Sequence, residues 1–161
     1  MDEKIMLVPR TRELFHEYYR NFVQDEALFA DMSLYKPYTY DAQWVDARFD
    51  RHAADENRVC LCVMLKGKVI GDVVLHGIDT DAHTCELGIC MLNDEYKNRG
   101  YGTEAEKLAV RYALEELGMN TVTAKAIHKN TRSQHVLEKI GFNYTHEDAL
   151  HRYYKINLHI T

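Results

Sequence analysis

Cys85-Glu-Leu-Gly-Ile-Cys-Met-Leu-Asn-Asp-Glu-Tyr-Lys-Asn-Arg-Gly-Tyr-Gly-Thr-Glu-Ala105 opens as a strand and closes as a helix. Cys85 to Leu92 is a short, largely apolar run, and the polar turn Asn93-Asp94-Glu95 ends it. Past the glycines, Ala105, Leu108, Ala109, Tyr112 and Ala113 recur at helical spacing, with Gly118 as the stop. Between strand and helix stands Lys97-Asn98-Arg99-Gly100-Tyr101-Gly102-Thr103. Glycines let a backbone approach a ligand closely, and the unpaired N–H groups at a helix start point at anions. The combination makes a phosphate cradle.

Gly-x-Gly alone is more often an ordinary tight turn. Two familiar phosphate loops are excluded: no Gly-Lys-Ser/Thr follows, and the third glycine of a dinucleotide fingerprint is missing. Downstream, Lys129-Asn130-Thr131-Arg132-Ser133 precedes Val136-Leu137-Glu138-Lys139-Ile140-Gly141-Phe142. Together the two elements resemble the GNAT superfamily of acetyl-CoA-dependent N-acetyltransferases. Its signatures are Arg/Gln-x-x-Gly-x-Gly/Ala and Asn-x-x-Ser…Leu-Glu-Lys-x-Gly-Phe, the latter typical of the branch acetylating ribosomal-protein termini and small amines. Lys97 replaces the usual Arg or Gln, at a position that works largely through its backbone.

The chain has 161 residues, 46% hydrophobic and 28% charged, which suits one globular domain over 1–161. A net charge of −5 disfavours a nucleic-acid surface and suits a cationic acceptor. No apolar run approaches the roughly 20 residues of a membrane span, and Met1-Asp2-Glu3-Lys4 is no signal peptide, so the cytoplasm is expected. Cys60, Cys62, Cys85 and Cys90 read as buried small hydrophobes, and no zinc spacing or metal site is evident.

Ile5 to Val8 is a first strand, followed by a helix capped by Thr11 with Leu14, Phe15, Tyr18, Tyr19, Phe22 and Val23 on one stripe. Ala27 to Tyr40 is irregular and aromatic. A helix over Asp41 to Ala54 places Trp44, Val45 and Phe49 inward. Arg58–Leu65 and Lys68–Leu75 form a hairpin about Lys66-Gly67. Thr121 to Ile127 alternates between faces, Asn130 caps a short helix ended by Gly141, and Phe142–His146 and Arg152–Ile160 are closing strands. This order predicts an α+β fold around a mixed sheet. The resemblance implies a mostly antiparallel GNAT sheet in which the Cys85 and Thr121 strands splay apart to admit the pantetheine arm of CoA.

Acetyl transfer needs a neutral amine, a stabilised oxyanion and a thiolate able to leave. The resemblance assigns Glu86 as general base, with acceptor binding or mere edge exposure as the alternative. It puts the oxyanion donor on the strand backbone at Ile89 or Cys90, next to Met91. Gly88 reads as a bulge there, or as a close-packing site. The backbone from Asn98 to Thr103 would hold the pyrophosphate. Arg99, Asn130 and Arg132 would reach CoA phosphates or the adenosine side, against solvated surface charge for the arginines. Many relatives carry a Tyr acid where this chain has Leu137; Ser133 is the substitute, with helix capping as its other role, and Tyr153 and Tyr154 are weaker candidates. His76 and His151 are candidates for the acceptor pocket, against the commoner state of satisfied histidines.

The implied activity is acetyl transfer from acetyl-CoA, as cosubstrate, directly to a primary amine of a protein terminus or small molecule. The segment Phe29 to Tyr40 would shape the acceptor site, and a homodimer is compatible with the sequence. Two alternatives stand beside it: a CoA-binding sensor without turnover, which the absent Tyr favours, and an aminoglycoside or polyamine acetyltransferase, which an acidic acceptor cleft would favour.

Overall fold

The computed structural model describes residues 4–24, 31–93, 96 and 99–158. Seven strands form one sheet: β1 (Ile5–Pro9), β2 (Val59–Leu65), β3 (Lys68–Asp79), β4 (Thr84–Met91), β5 (Thr121–Ile127), β6 (Asn143–Glu147) and β7 (His151–Asn157). Their order in space is β1-β2-β3-β4-β5-β7-β6, antiparallel except between β4 and β5. Among the described residues four α-helices flank the sheet, α1 (Arg12–Asn21), α2 (Ala42–Ala53), α3 (Tyr101–Glu115) and α4 (Thr131–Ile140), with a short 3-10 turn at Met32–Leu34. The α+β architecture matches the expectation. No helix among the described residues is long and apolar enough to cross a membrane.

Local chemistry explains the boundaries. The Thr11 hydroxyl accepts from the Leu14 N–H at 3.2 Å, and the Asp41 carboxylate accepts from Gln43 and Trp44, so α1 and α2 start on side-chain caps. Lys66 and Gly67, at φ 50° and 78°, give the β2–β3 hairpin two left-handed residues, as a type I′ turn requires.

α3 packs Ala105, Ala109 and Ala113 against the sheet; these small side chains bring the helix close to Cys85 and Leu87 of β4 and Val122 of β5. On β5, Val122, Ala124 and Ala126 are buried while the intervening residues are not, as the alternation predicts. On the other face, Tyr18 of α1 joins Cys62, Val69 and Leu92 in a second apolar cluster.

Several expectations need correction. β3 runs on to Asp79 rather than ending at Leu75. Its far end carries the glycine bulge of this region, at Gly77 (φ 57°), where the register jumps between His76↔Glu86 and Asp79↔Thr84. Gly88, read as a bulge, pairs in unbroken register with Val74, and a Cβ there would meet nothing within 4 Å, so it is no close-packing site either. Trp44 is 42% exposed and Val23 lies beyond the end of α1, also exposed; of the expected inward trio on α2, only Val45 is fully buried. All four cysteines are free thiols, with Cys62 and Cys85 buried and Cys60 and Cys90 partly so.

Candidate active site

β4 and β5 pair only at Thr84↔Thr121, Cys85↔Val122 and Glu86↔Thr123. Beyond Glu86 the strands separate, and a cavity of about 230 Å³ opens between them. Glu86, Gly88 and Ile89 line one wall, Lys125 and Ala126 of β5 the other, and Asn130, Ser133 and Leu137 of α4 close one side. Glu106 of α3 and His151 of β7 also line it. Side-chain alternation sets Glu86, Gly88 and Cys90 on one face of β4, opposite Cys85 and Leu87, which meet α3.

The backbone of β4 divides in the same way. The Leu92 N–H donates to the Ile70 carbonyl at 2.8 Å, so alternate residues of β4 turn their main-chain groups toward β3. That parity directs the Cys90 carbonyl to the β3 side, where the Tyr18 hydroxyl donates to it at 3.1 Å. It points the main-chain groups of Ile89 and Met91 into the space that β5 has left.

The described part of the glycine loop expected to cradle phosphate lies next to this gap along both β4 and α4. Gly100, at φ 83°, is the residue before α3, and being glycine it brings no side-chain cap to the helix start. The first N–H groups of a helix have no intrahelical carbonyl to bond, and they carry the positive end of its dipole. Those of α3 adjoin a cavity of about 560 Å³ lined by Met91, Tyr96, Gly100, Gly102, Thr103, Arg132, His135 and Lys139 among others. Among the described residues, a Cβ on Gly102 would meet nothing closer than Met91 Cγ at 4.0 Å. Tyr101 begins α3 and Arg99 precedes Gly100. Lys97, Asn98 and Phe29 lie outside the described residues.

The remaining expected residues are placed as follows. The Asn130 carboxamide oxygen accepts from the Ser133 N–H at 3.1 Å, so Asn130 caps α4. Both residues also line the gap, whereas Arg132, beside them, lines the larger cavity. The Tyr153 hydroxyl donates to Asp148 at 2.6 Å, while the Tyr154 hydroxyl lies 3.4 Å from Glu138 and receives a bond from Arg152; neither tyrosine is among the residues lining the gap.

Glu86 Oε2 lies 3.2 Å from His76 Nε2 across the β3–β4 ladder. The His76 hydrogen bond outweighs burial and holds the Glu86 carboxyl below its ordinary value, so Glu86 is ionised at neutral pH. Glu106 is the opposite case. It is 3% exposed, its Oε2 has no hydrogen-bond partner among the described residues, and burial pushes it up to about 8. Sequence reasoning missed Glu106, along with Lys125, His135 and Lys139. Charged residues on helices and strands read as solvated faces; only Glu106 is turned inward, while Lys125, His135 and Lys139 stay exposed at the cavity rims.

On the Cys90 face, a cavity of about 530 Å³ is walled by Tyr18, Tyr19, Phe22, Tyr38 and Trp44, with Arg48 and Asp72 among its polar groups. Tyr38 packs at 5.6 Å from Tyr19 and 5.3 Å from Phe22, ring centre to ring centre. This joins the described part of the aromatic segment, residues 31–40, to α1 and α2.

The mixed sheet with its splayed central strands is the architecture of a GNAT-type acetyltransferase domain. The model of the acetyltransferase (GNAT) domain family matches residues 4–143, and the chain belongs to that family. The putative ribosomal N-acetyltransferase YdaF of Bacillus subtilis is 33% identical over 92 residues, covering 57% of this chain and 50% of that protein. An N-acetyltransferase 9-like protein of Nematostella vectensis is 28% identical over 155 residues, 86% of this chain and 74% of that one. The Vibrio cholerae spermidine N-acetyltransferase, solved in complex with CoA and spermine, superposes with a TM-score of 0.79 over 95% of each chain at 17% identity.

Proposed function

We propose that this single domain transfers acetyl from acetyl-CoA directly to a primary amine of a protein terminus or a small molecule, without a covalent acetyl-enzyme. The observation that carries the reading is the gap between β4 and β5, with ionised Glu86 on its wall and the glycine-led start of α3 beside it. The backbone from Asn98 to Thr103 holds the pyrophosphate, and Arg132 meets the phosphates, with Lys139 and His135 in the same cavity. Arg99 and Asn130 flank the CoA path. The pantetheine arm lies in the gap, where the Ile89 N–H, free of the β3 ladder by parity, faces the developing oxyanion between Cys90 and Met91 on one side and Gly88 on the other. Gly88, with open space where a side chain would stand, leaves room for the reacting carbonyl.

The amine enters from the Glu86 face, and the aromatic cavity and residues 31–40 shape its approach. An α-amine titrates near pH 8, so a usable neutral fraction exists at neutral pH. As nitrogen bonds to carbonyl carbon its remaining protons become strongly acidic, and a carboxylate of low pKa is then a competent acceptor. Glu86 takes that proton, directly or through water. Ser133, at the gap, hydrogen-bonds the thioester end of the ligand.

Among the described residues the aromatic cavity offers Asp41 and Asp72 beside Arg48, and Asp72 is already paired with Arg10. This balance does not favour a polycationic acceptor. Four free thiols suit a reducing compartment, the cytoplasm. Incubation with acetyl-CoA and a panel of N-terminal peptides, monoamines and polyamines, followed by thiol release and product mass, tests the reading. Transfer to peptides or monoamines is expected; CoA binding without transfer to any amine would make the chain a sensor.

A further inference from the structure

Glu106 has no role in the chemistry above, yet a buried carboxyl with an unpartnered oxygen costs stability that an apolar residue would not. It projects from α3, which packs on the face of the sheet opposite Glu86. Glu86 and Glu106 therefore line one cavity from opposite sides of the gap. We propose that Glu106 is the general acid that protonates the CoA sulfur as the thiolate leaves. This rests on the acetyl-transfer reading.

The step balances without a further reactant. Amine nitrogen bonds to the thioester carbon, and its proton passes to Glu86. The carbon–sulfur bond breaks, and sulfur takes the proton from the Glu106 carboxyl. Solvent removes the proton from Glu86 and returns one to Glu106 once CoA has left. The amide and CoA thiol are the products, and nothing is oxidised or reduced.

Three observations support the assignment. Leu137 and Ser133 stand on the α4 side of the same cavity, and Leu137 has no proton to give. Burial keeps Glu106 protonated at neutral pH, while the His76 contact keeps Glu86 ionised; environments that drive two carboxyls apart mark an acid and a base. A donor with a pKa near the working pH also outperforms a serine hydroxyl. The other titratable groups lining the cavity are Lys125 and His151, on β5 and β7; α4 contributes none to its wall.

The test compares wild type with Glu106→Gln in steady-state kinetics from about pH 6 to about pH 10, with CoA affinity by calorimetry as the control for folding. Wild-type kcat should fall above about pH 8, as the acid is lost. Glu106→Gln should bind CoA nearly as well, lose kcat on the order of 10²-fold, and lack that basic limb. An unchanged kcat with the limb retained overturns the proposal. A wild type that turns over no amine overturns the transfer reading, and the acid role with it. If the variant does not fold, infrared difference spectra of the wild type decide: a protonated carboxyl band that disappears through about pH 8 is expected, and its absence at neutral pH overturns the assignment.

Discussion

Arg10 and Asp72, far apart in sequence, are joined by a two-pronged ion pair: the Arg10 Nη2 lies 2.6 Å from each Asp72 carboxylate oxygen and Nε 3.1 Å from one of them. Their side chains are 2% and 15% exposed. The Arg10 guanidinium also lies 4.0 Å from the centre of the Phe15 ring and bonds His52 Nδ1 at 2.8 Å. Burial and the neighbouring Arg10 charge push His52 down to about 4, so it stays neutral and can accept that bond. One side chain thus ties the end of β1 to β3, α1 and α2.

Removing one partner leaves the other buried and uncompensated. Arg10→Met should cost about 3–5 kcal/mol in chemical denaturation, and Asp72→Asn a comparable amount. The double variant Arg10→Met/Asp72→Leu should recover much of the loss, because the uncompensated charge is gone. Additive losses in the double variant would show that the two residues act independently.

Gly102 separates fold from ligand. The protein leaves a Cβ room there, and alanine is the better helix former, so Gly102→Ala should gain about 0.5–1 kcal/mol in thermal or chemical unfolding. The same methyl group would stand where the pyrophosphate approaches the start of α3. CoA affinity should fall by about tenfold or more in calorimetric titration, and Gly102→Val should abolish it. Unaltered binding in Gly102→Val with an intact fold would remove the phosphate from that loop.

Glu86→Gln should lower kcat by on the order of 10²-fold. Because Glu86 is already ionised at neutral pH, the acidic limb of the rate profile belongs to the amine, and it should shift when an α-amine is exchanged for a lysine-like amine. The variant keeps the limb where the amine puts it. A raised KM with unchanged kcat would make Glu86 an acceptor-binding residue only.

Glu106 also makes stability depend on pH. Its carboxyl titrates at about 8 in the folded chain and near the ordinary glutamate value when unfolded. Between those values the folded state holds a proton that the unfolded state has released. The group's contribution is therefore fully present at low pH and lost as pH rises toward about 8, at up to about 1.4 kcal/mol per pH unit. Glu106→Leu should flatten that slope and raise stability at pH about 8, read from denaturation midpoints across pH.

Much of the fold was legible because its signals are local. The alternation of β5, the caps Thr11 and Asn130, the Lys66-Gly67 turn and the small residues of α3 each report on their own neighbourhood. Gly88 was misread because a glycine in a strand signals a bulge or open space alike, and only the partner strand tells them apart; here the bulge fell at Gly77. Trp44 was misplaced because a helical stripe gives a direction but not the width of the covering layer. Glu106 was invisible. One turn of α3 interleaves Glu104, Glu106 and Lys107 with Ala105, and nothing in that string says which carboxyl faces inward.

The brevity of the β4–β5 contact has a mechanical consequence. Strands β1 to β4 and strands β5 to β7 share a ladder at Thr84, Cys85 and Glu86 alone, and the core cluster beneath α3 joins Cys85 and Leu87 to Val122. A ligand threaded through the gap would touch both halves of the sheet and act as a splint where no ladder joins them. Occupancy then becomes rigidity: the chain resists unfolding more as ligand concentration rises, and the backbone amides bordering the gap exchange with solvent more slowly.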